Sequence, residues 1–496
     1  MTVSTSEIYS PGWWLKRLGD RLVADLGKLE EYIDLYDNKF SFHDPALAID
    51  PKVAESRRKL AAMCKLNFAE LIVDAVVERL TPTGFKTGRE KDGESVDAKA
   101  WKIWTTNSMD SYADEMFSMA LSASRVFVIV GPADEGEDVP YISIEDPRTM
   151  SVEFNPRRRR VVDAAVKIYR DDIDGKRKAI LFLPGEIHRF ESTVSEFDTI
   201  GEIQGSQWNL VETEETDFDF VPVVAFYNKR RGNMSFAEFD GQISDIHRIN
   251  FLVQSRLEIA TIQAFRQRAF KGLPEHDEHG NKIDYSGVFA AAPGAIWTLP
   301  ETADIWESGQ VDLTGILAAV QADIRDTAAT SRTPLFYFDP SDSAGSAEGA
   351  SLAREGLTFK CGSRIKGFTE PLEVLIYYML RMDGDNDVNL SDISIVWADP
   401  ERYTLAQRFD AAVKANTVGM PWRSVMELVL QYPPHVVAEM EAQRATDALL
   451  FGDLNGNAQA TGASSPGVPG AGNDNGEGNP QPPTETVGQP GVTQGQ

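Results

Sequence analysis

An α+β fold is predicted by the order of patterns along these 496 residues. Helix-period stripes fill the two ends and the stretch after residue 240, while alternating or continuous apolar runs of strand length occupy the middle. A third observation narrows the architecture. Between Asp240 and Arg381 two long helical patterns bracket a Gly- and Pro-containing insert and are followed by a small-residue loop and a further helix. That order reads as part of an assembled conduit rather than an active-site pocket.

Leu15, Leu18, Leu22, Leu26, Leu29, Ile33 and Tyr36 form an almost heptad stripe, which predicts an N-terminal helix packed within its own domain. Further helical blocks are expected from about Val53 to Leu80 and from about Asp110 to Ala123. Strands then take over: RVFVIV, YISI, MSVEF, VVDAAVKIY, AILFLP, QWNLVE and VPVVAFY lie between turn signals as far as Tyr227.

The first long helix after residue 240 places Ile246, Ile249, Val253, Leu257, Ala260 and Ala264 on one stripe. Phe251 and Ile262 lie on its other side among Arg248, Glu258 and Arg266, so this helix needs neighbours on more than one face. The second carries Leu313, Ile316, Leu317, Val320 and Ile324, with Gly315, Ala318, Ala322 and Ala329 opposite, where small side chains permit close packing. Asp312 is the expected N-cap. At 1.5 Å per residue the pair spans roughly 25 to 40 Å. On periodicity alone, two core helices of a large globular domain are the favoured reading.

Between the helices, residues 267 to 311 are irregular, with short strands expected at GVFAAAP and AIWTLP. After the second helix, Pro334 and Pro340 stop propagation and Ser341 to Gly349 supply small turn-forming residues, a mobile loop. Helix resumes from Ala350 to Arg381, bent near Gly367 and Pro371, and again from Leu405 to Leu450. From Gly452 to Gln496 the chain has no Lys or Arg and few apolar residues, the composition of a disordered tail.

The chain holds 49 Lys and Arg against 76 Asp and Glu, a net charge of −27, with 42% hydrophobic and 9% aromatic residues. It is long enough for about three domain-sized units. Such acidity argues against gripping DNA through neutralised phosphates. It fits a wall along which DNA slides, and equally a protein kept soluble by its charge. Cys64 and Cys361 stand apart without metal-ligand spacing, so no disulfide framework is indicated. The start lacks a basic region with an apolar core, and no run approaches a membrane span.

Catalytic constellations are mostly missing. No Gly-rich loop ends in Gly-Lys-Ser or Gly-Lys-Thr. His276 and His279 in HDEHGN could approach a metal together, but their surroundings read as a solvated turn, and no metal or cofactor is expected. Asp383, Asp385 and Asp387 mimic the opening of a calcium loop that fails at Val388 and Ser394. Arg157 to Arg160 form the one dense basic run, read as a solvated hairpin turn and alternatively as a contact for capsid, scaffold or DNA. The acidic runs Asp134 to Asp138 and Glu212 to Asp219 read as exposed loops.

LNFAELIVDAVVERLTPTGF, WKIWTTNSMD, SRVFVIVGP, APGAIWTLPE, SRTPLFYF and VWADPERYTLAQRFDAAVKANTVGMPWRSVMELV, in that order, resemble the portal proteins of tailed double-stranded DNA bacteriophages. The similarity is to the type found in long-tailed phages of Gram-positive hosts. It implies an α+β portal-type subunit divided as follows: an α/β wing over 1–240, stem helices over 241–266 and 311–332, and a clip over 267–310. A tunnel loop over 333–348 precedes a long kinked helix with a return to the wing over 349–403, a helical crown over 404–451 and the tail over 452–496. It further implies a non-enzymatic dodecameric ring at one capsid vertex, assembled in the host cytoplasm and part of the virion, with no membrane partner. Double-stranded DNA would pass its channel, the terminase large subunit and the head-tail adaptor would dock in turn, and major capsid and scaffold proteins would be neighbours. The tunnel-loop residues would be Thr333, Phe336, Tyr337, Asp339, Ser341, Asp342, Ser343 and Glu348. Those of the clip would be Lys271, Glu275, His276, His279 and Asn281. The alternatives are a DNA-processing enzyme of the phage head, such as a nuclease, and a minor capsid or scaffold protein.

Overall fold

The structure, a computed structural model, describes residues 3–40, 55, 59–60, 62–91, 94–193, 203–232, 234–264, 268–276, 279–283, 285, 304–307, 309, 311–339, 347–401 and 403–456. The chain forms two compact units, Met1–Ala438 and Glu439–Gln496.

Helix α1 (Pro11–Tyr36) starts at Ser10, whose Oγ accepts from the Trp13 N–H, with Pro11 preset for the first turn. Helix α2 (Phe68–Val77), capped by Asn67, leads to β1 (Pro82–Lys86), the short hairpin β2 (Glu90–Lys91) and β3 (Glu94–Ser95), then α3 (Val96–Thr106) and α4 (Met109–Ser122). Seven strands follow before the next pair: β4 (Arg125–Gly131), β5 (Tyr141–Glu145), β6 (Met150–Phe154), β7 (Val162–Arg170), β8 (Arg177–Leu183), β9 (Glu186–Ser192) and β10 (Trp208–Glu215). Next come β11 (Val223–Tyr227) and the hairpin β12 (Lys229–Arg231) and β13 (Met234–Phe236). The second half runs α5 (Ile243–Ala264), β14 (Arg268–Lys271), β15 (Asp304–Glu307), α6 (Thr314–Ser331), α7 (Leu335–Phe338) and α8 (Ala347–Met382). It closes with β16 (Ser394–Trp397), α9 (Leu405–Thr417), the turn α10 (Trp422–Ser424) and α11 (Pro434–Gly456).

Two antiparallel sheets are stacked in the body, one ordered β10-β9-β8-β7-β6 and the other β11-β4-β5. Alternation explains the layers. Phe127 and Ile129 of β4 face Met150, Val152 and Phe182 of the larger sheet, while Val126, Val128 and Val130 face the main core with α4 and α8. On β7, Ala164, Val166 and Ile168 turn to α1 and Ala165 turns to the smaller sheet. A register shift at Glu153/Phe154 reverses that parity, so that Val162 joins the core between the sheets. Expected and observed α+β architecture agree.

Differences from the sequence reading are local. The first half of α1 packs Leu15, Leu18 and Leu22 on the large sheet; the second half enters the main core, which buries Tyr32 and Leu35 in place of Ile33 and Tyr36. The block expected from Val53 to Leu80 is interrupted ahead of Asn67, which caps a new helix with a bond to Glu70 N. Strand β9 and the β1–β16 pair went unread, β9 because Glu186, His188, Arg189 and Glu191 interrupt its apolar pattern, the pair because its members lie some 300 residues apart. Helix α3 too was missed, its Val96, Ala100, Ile103 and Trp104 buried. Helix α8 continues through Pro371. Helix α11 extends to Gly456, five residues past the boundary set for the tail. The segments GVFAAAP and AIWTLP and residues 457–496 lie outside the described residues.

Candidate functional site

The two helices after residue 240 form an antiparallel pair. Arg248 on α5 donates from Nε and Nη2 to Asp323 on α6 at 3.0 and 3.1 Å, and at the far end Gln263 Nε2 donates to Val311 O at 3.1 Å. Asp312, the expected N-cap, lies one residue outside the observed cap position, which Leu313 occupies. Its Oδ1 nevertheless accepts from Thr314 N and Oγ1, and these bonds hold its carboxyl below the ordinary range.

Burial along the pair is graded. Ile246, Ile249 and Val253 of α5 are inside, whereas its described side chains beyond Gln254 are at most half-buried. On α6 only Val320, Thr327, Ala328 and Ser331 are buried; Gly315, Ala318, Ala322 and Ala329 face outward, and Leu317 is 41% exposed. Phe251, on the side of α5 that called for a second neighbour, is 61% exposed. Leaving so much apolar surface in water on both helices is the mark of a contact awaiting another chain.

The root of the pair is held by charge. Glu238, just before α5, is almost wholly buried and takes Arg364 Nε at 2.8 Å and Asn228 Nδ2 at 3.1 Å. Lys360 and Lys229 stand 3.4 Å from its other oxygen. Burial pushes its carboxyl up, but Lys360, Arg364 and Lys229 overcome this and hold it at about 2. Lys360 is pulled down by its own burial against the opposing pull of Glu238. Its Nζ also donates to Ser331 O at 3.0 Å, a carbonyl at the C-terminal end of α6, where a cation is favoured. One lysine of α8 therefore ties the start of α5 to the end of α6.

Helix α6 ends with Arg332 at φ 53°, Arg332 N donating to Ala329 O and Thr333 N to Ala328 O. The expected tunnel-loop residues begin here. Thr333 is buried and its Oγ1 is without a hydrogen-bond partner. Phe336 stacks on Tyr337 at 4.8 Å in α7, Tyr337 Oη accepts from Arg79 Nη2 at 2.8 Å, and Phe338 meets Phe68 at 5.2 Å. The aromatic trio is thus packed at the loop base. Asp339 follows α7, Glu348 lies in the first turn of α8, and Ser341, Asp342 and Ser343 lie outside the described residues. A cavity of about 240 Å³ separates Val253, Val320 and Ile324 from Leu335 and Phe338.

The expected clip residues are gathered at the opposite end of the pair. Lys271 pairs with Asp304 in the β14–β15 ladder, while Glu275 O accepts from Ile283 N at 3.0 Å and His276 bridges Lys282. Glu275, His276, His279 and Asn281 are exposed in this small turn, as is Lys271. Among the described residues no group of three or more His, Cys, Asp or Glu is placed to hold a metal, and no helix is long and apolar enough to cross a membrane. Asp385 instead lies 3.4 Å from Arg89. The Glu238 cluster was not foreseen from sequence; a lone glutamate before a helix and a lysine 122 positions later carry no local signal.

These features define a structural subunit: a rigid layered body from which an incompletely covered helical pair projects. A family profile, that of the phage portal protein of SPP1 Gp6-like type, matches residues 15–444, and the chain belongs to this family. Its function is that of a phage portal, a ring-forming component of the virion's head-to-tail connector. It is 25% identical over 458 residues to the portal protein of Mycobacterium phage L5, covering 88% of this chain and 89% of the relative. To the portal protein of Mycobacterium phage D29 it is 25% identical over 403 residues, covering 78% and 79%. Among solved structures it resembles a chain from the neck of an empty GTA particle, at 10% identity and a TM-score of 0.41, over 82% of this chain and 94% of that one; likeness at this level carries no argument.

Proposed function

We propose that α5 and α6 are the stem of a ring completed by further copies of this chain. The observation that carries this reading is the exposure of apolar and small residues on both helices while their common root is locked by Glu238 and Lys360. Heterologous contacts between identical copies cover such surfaces and close into a ring. Residues 1–240 and the return over 349–403 make the wing, 267–310 the clip, 333–348 the tunnel loop and 404–451 the crown, in a dodecamer.

Double-stranded DNA passes the channel during packaging and ejection. The exposed turn with Glu275, His276, His279 and Asn281 meets first the terminase large subunit and later the head-tail adaptor. The wing and crown meet major capsid and scaffold proteins as the ring is built in the host cytoplasm. The chain itself catalyses nothing. At the channel, Tyr337 and Phe338 anchor the loop, and the acidic Asp339, Asp342 and Glu348 repel phosphate, so the loop acts as a collar against back-slippage rather than as a source of affinity.

Deleting Ser341 to Ser346 tests this. Rings should form normally by native mass measurement and negative-stain imaging, and the yield of DNA-retaining heads in a packaging assay should fall. Normal retention would refute the collar, and loss of the ring would make the loop part of the core.

A further inference from the structure

Two charged turns remain outside the stem and its loop. Arg157 to Arg160 cap the β6–β7 hairpin, held by Asn155 Oδ1, which accepts from Arg157 N and Arg158 N at 3.0 Å each. All four arginines are exposed, and among the described residues none forms an ion pair with them. Arg159 and Arg160 line a cavity of about 260 Å³ with Phe154, Tyr227 and Arg230 on one side and Gly367, Glu370 and Pro371 of α8 on the other. The Arg230 guanidinium lies over Phe154 and Tyr227, 4.9 and 4.6 Å from the ring centroids. Asn228 Oδ1, also at this cavity, is shielded and accepts no hydrogen bond. Glu370 and Glu373 are the carboxylates nearby, outnumbered by the arginines.

The complementary turn joins β4 to β5. Asp134, Glu135, Glu137 and Asp138 are all exposed there, and they too make no ion pair among the described residues. In the small sheet, ordered β11-β4-β5, the basic cleft runs along the β11 edge, while the acidic turn closes the β4–β5 hairpin beyond the Gly131–Tyr141 pair. Opposite charges on two separate parts of the subunit surface suit a head-to-tail contact that repeats around a closed ring, with charge fixing register and direction.

We infer that the acidic turn 134–138 of one copy docks in the arginine cleft of its neighbour, a contact between wings that is separate from the stem. The inference rests on the ring reading above.

Charge reversal tests it. One variant carries Arg158→Glu, Arg159→Glu and Arg160→Glu; the other carries Asp134→Lys, Glu135→Lys and Glu137→Lys. Each alone should keep the wild-type circular dichroism and melting curve and form rings about tenfold less readily, the scale of several exposed ion pairs acting together. Mixed one to one, they should assemble again, because each reversed cleft then meets a reversed turn, and the two should alternate in rings of even subunit number. Unimpaired rings from either variant alone overturn the inference. Recovery only when both reversals are placed in the same chain, and not in the mixture, would show pairing within a subunit and also overturn it. If the arginine variant forms normal rings but loses binding to DNA fragments, the cleft serves nucleic acid instead. A wild-type chain that never forms rings removes the ring reading, and this contact with it.

Discussion

Helices α4 and α6 are similar in length and differ in every other respect. Helix α4 buries Met109, Ala113, Met116, Phe117, Ala120 and Leu121 within its own subunit, whereas α6 buries Val320, Thr327, Ala328 and Ser331 and leaves its small-residue face and Leu317 in solvent. The first helix is stabilised by the fold; the second is held at its root and awaits a neighbour along its length. A subunit of a ring needs both kinds, since a body that depended on neighbours could not fold first, and a fully covered stem would have nothing with which to assemble.

The largest effect should separate the two regions. Phe117 is fully buried, 5.3 Å from Phe368 and 5.7 Å from Trp397 between ring centroids, so Phe117→Ala should cost about 3–5 kcal/mol in chemical unfolding. Leu317→Ala, on the exposed side of α6, should stay within about 0.5 kcal/mol of the wild-type monomer yet reduce ring formation in native mass measurement. Equal destabilisation of the monomer by both would erase the distinction.

Next comes the joint between the regions. Glu238→Gln leaves Lys360 and Arg364 buried without their carboxylate and should cost about 3–5 kcal/mol. The sign with pH follows from the depressed pKa. Glu238 titrates at about 2 in the folded chain against an ordinary 4.5, so its contribution is present above pH 4.5 and is lost as pH falls toward 2. Denaturant titrations at several pH values should therefore show a shallower acid loss for the variant than for the wild type across that window; parallel curves would mean that the cluster does not carry this charge.

Smaller effects lie at the loop base. Tyr337→Phe removes the bond accepted from Arg79 and should cost about 0.5–1.5 kcal/mol with rings intact. Arg332→Gly relieves a left-handed conformation at φ 53° and should stabilise the subunit by up to about 1 kcal/mol, read as a small rise in melting temperature. A drop would show that the Arg332 side chain contributes more than its backbone strain takes away.

How far the sequence could be read follows the same division. The strands whose side chains obey a simple period, such as β4 with valine on one face and Phe127 and Ile129 on the other, were legible because both faces are buried. Helices α5 and α6 were legible from their stripes, and the surface that α5 leaves uncovered could be seen in Phe251. What escaped depends on residues distant in sequence: the β1–β16 pair, the turnover in α1 from Leu22 to Tyr32 as its partner changes, and the four-residue charge cluster at Glu238. Among the expected loop residues, packing of Tyr337 and Phe338 followed from their size, whereas the buried Oγ1 of Thr333 had no counterpart in any local pattern.

Lys360 has a mechanical meaning beyond its contribution to stability. It belongs to a helix of 36 residues and touches both the carboxylate ahead of α5 and the last carbonyls of α6. Pulling Glu238 away would leave the Lys360 charge buried without its carboxylate, a costly state that opposes separation of the three elements. Lys360 thus joins α8 to both helices of the pair at a single point, and none of the three can shift at this joint without breaking a buried contact.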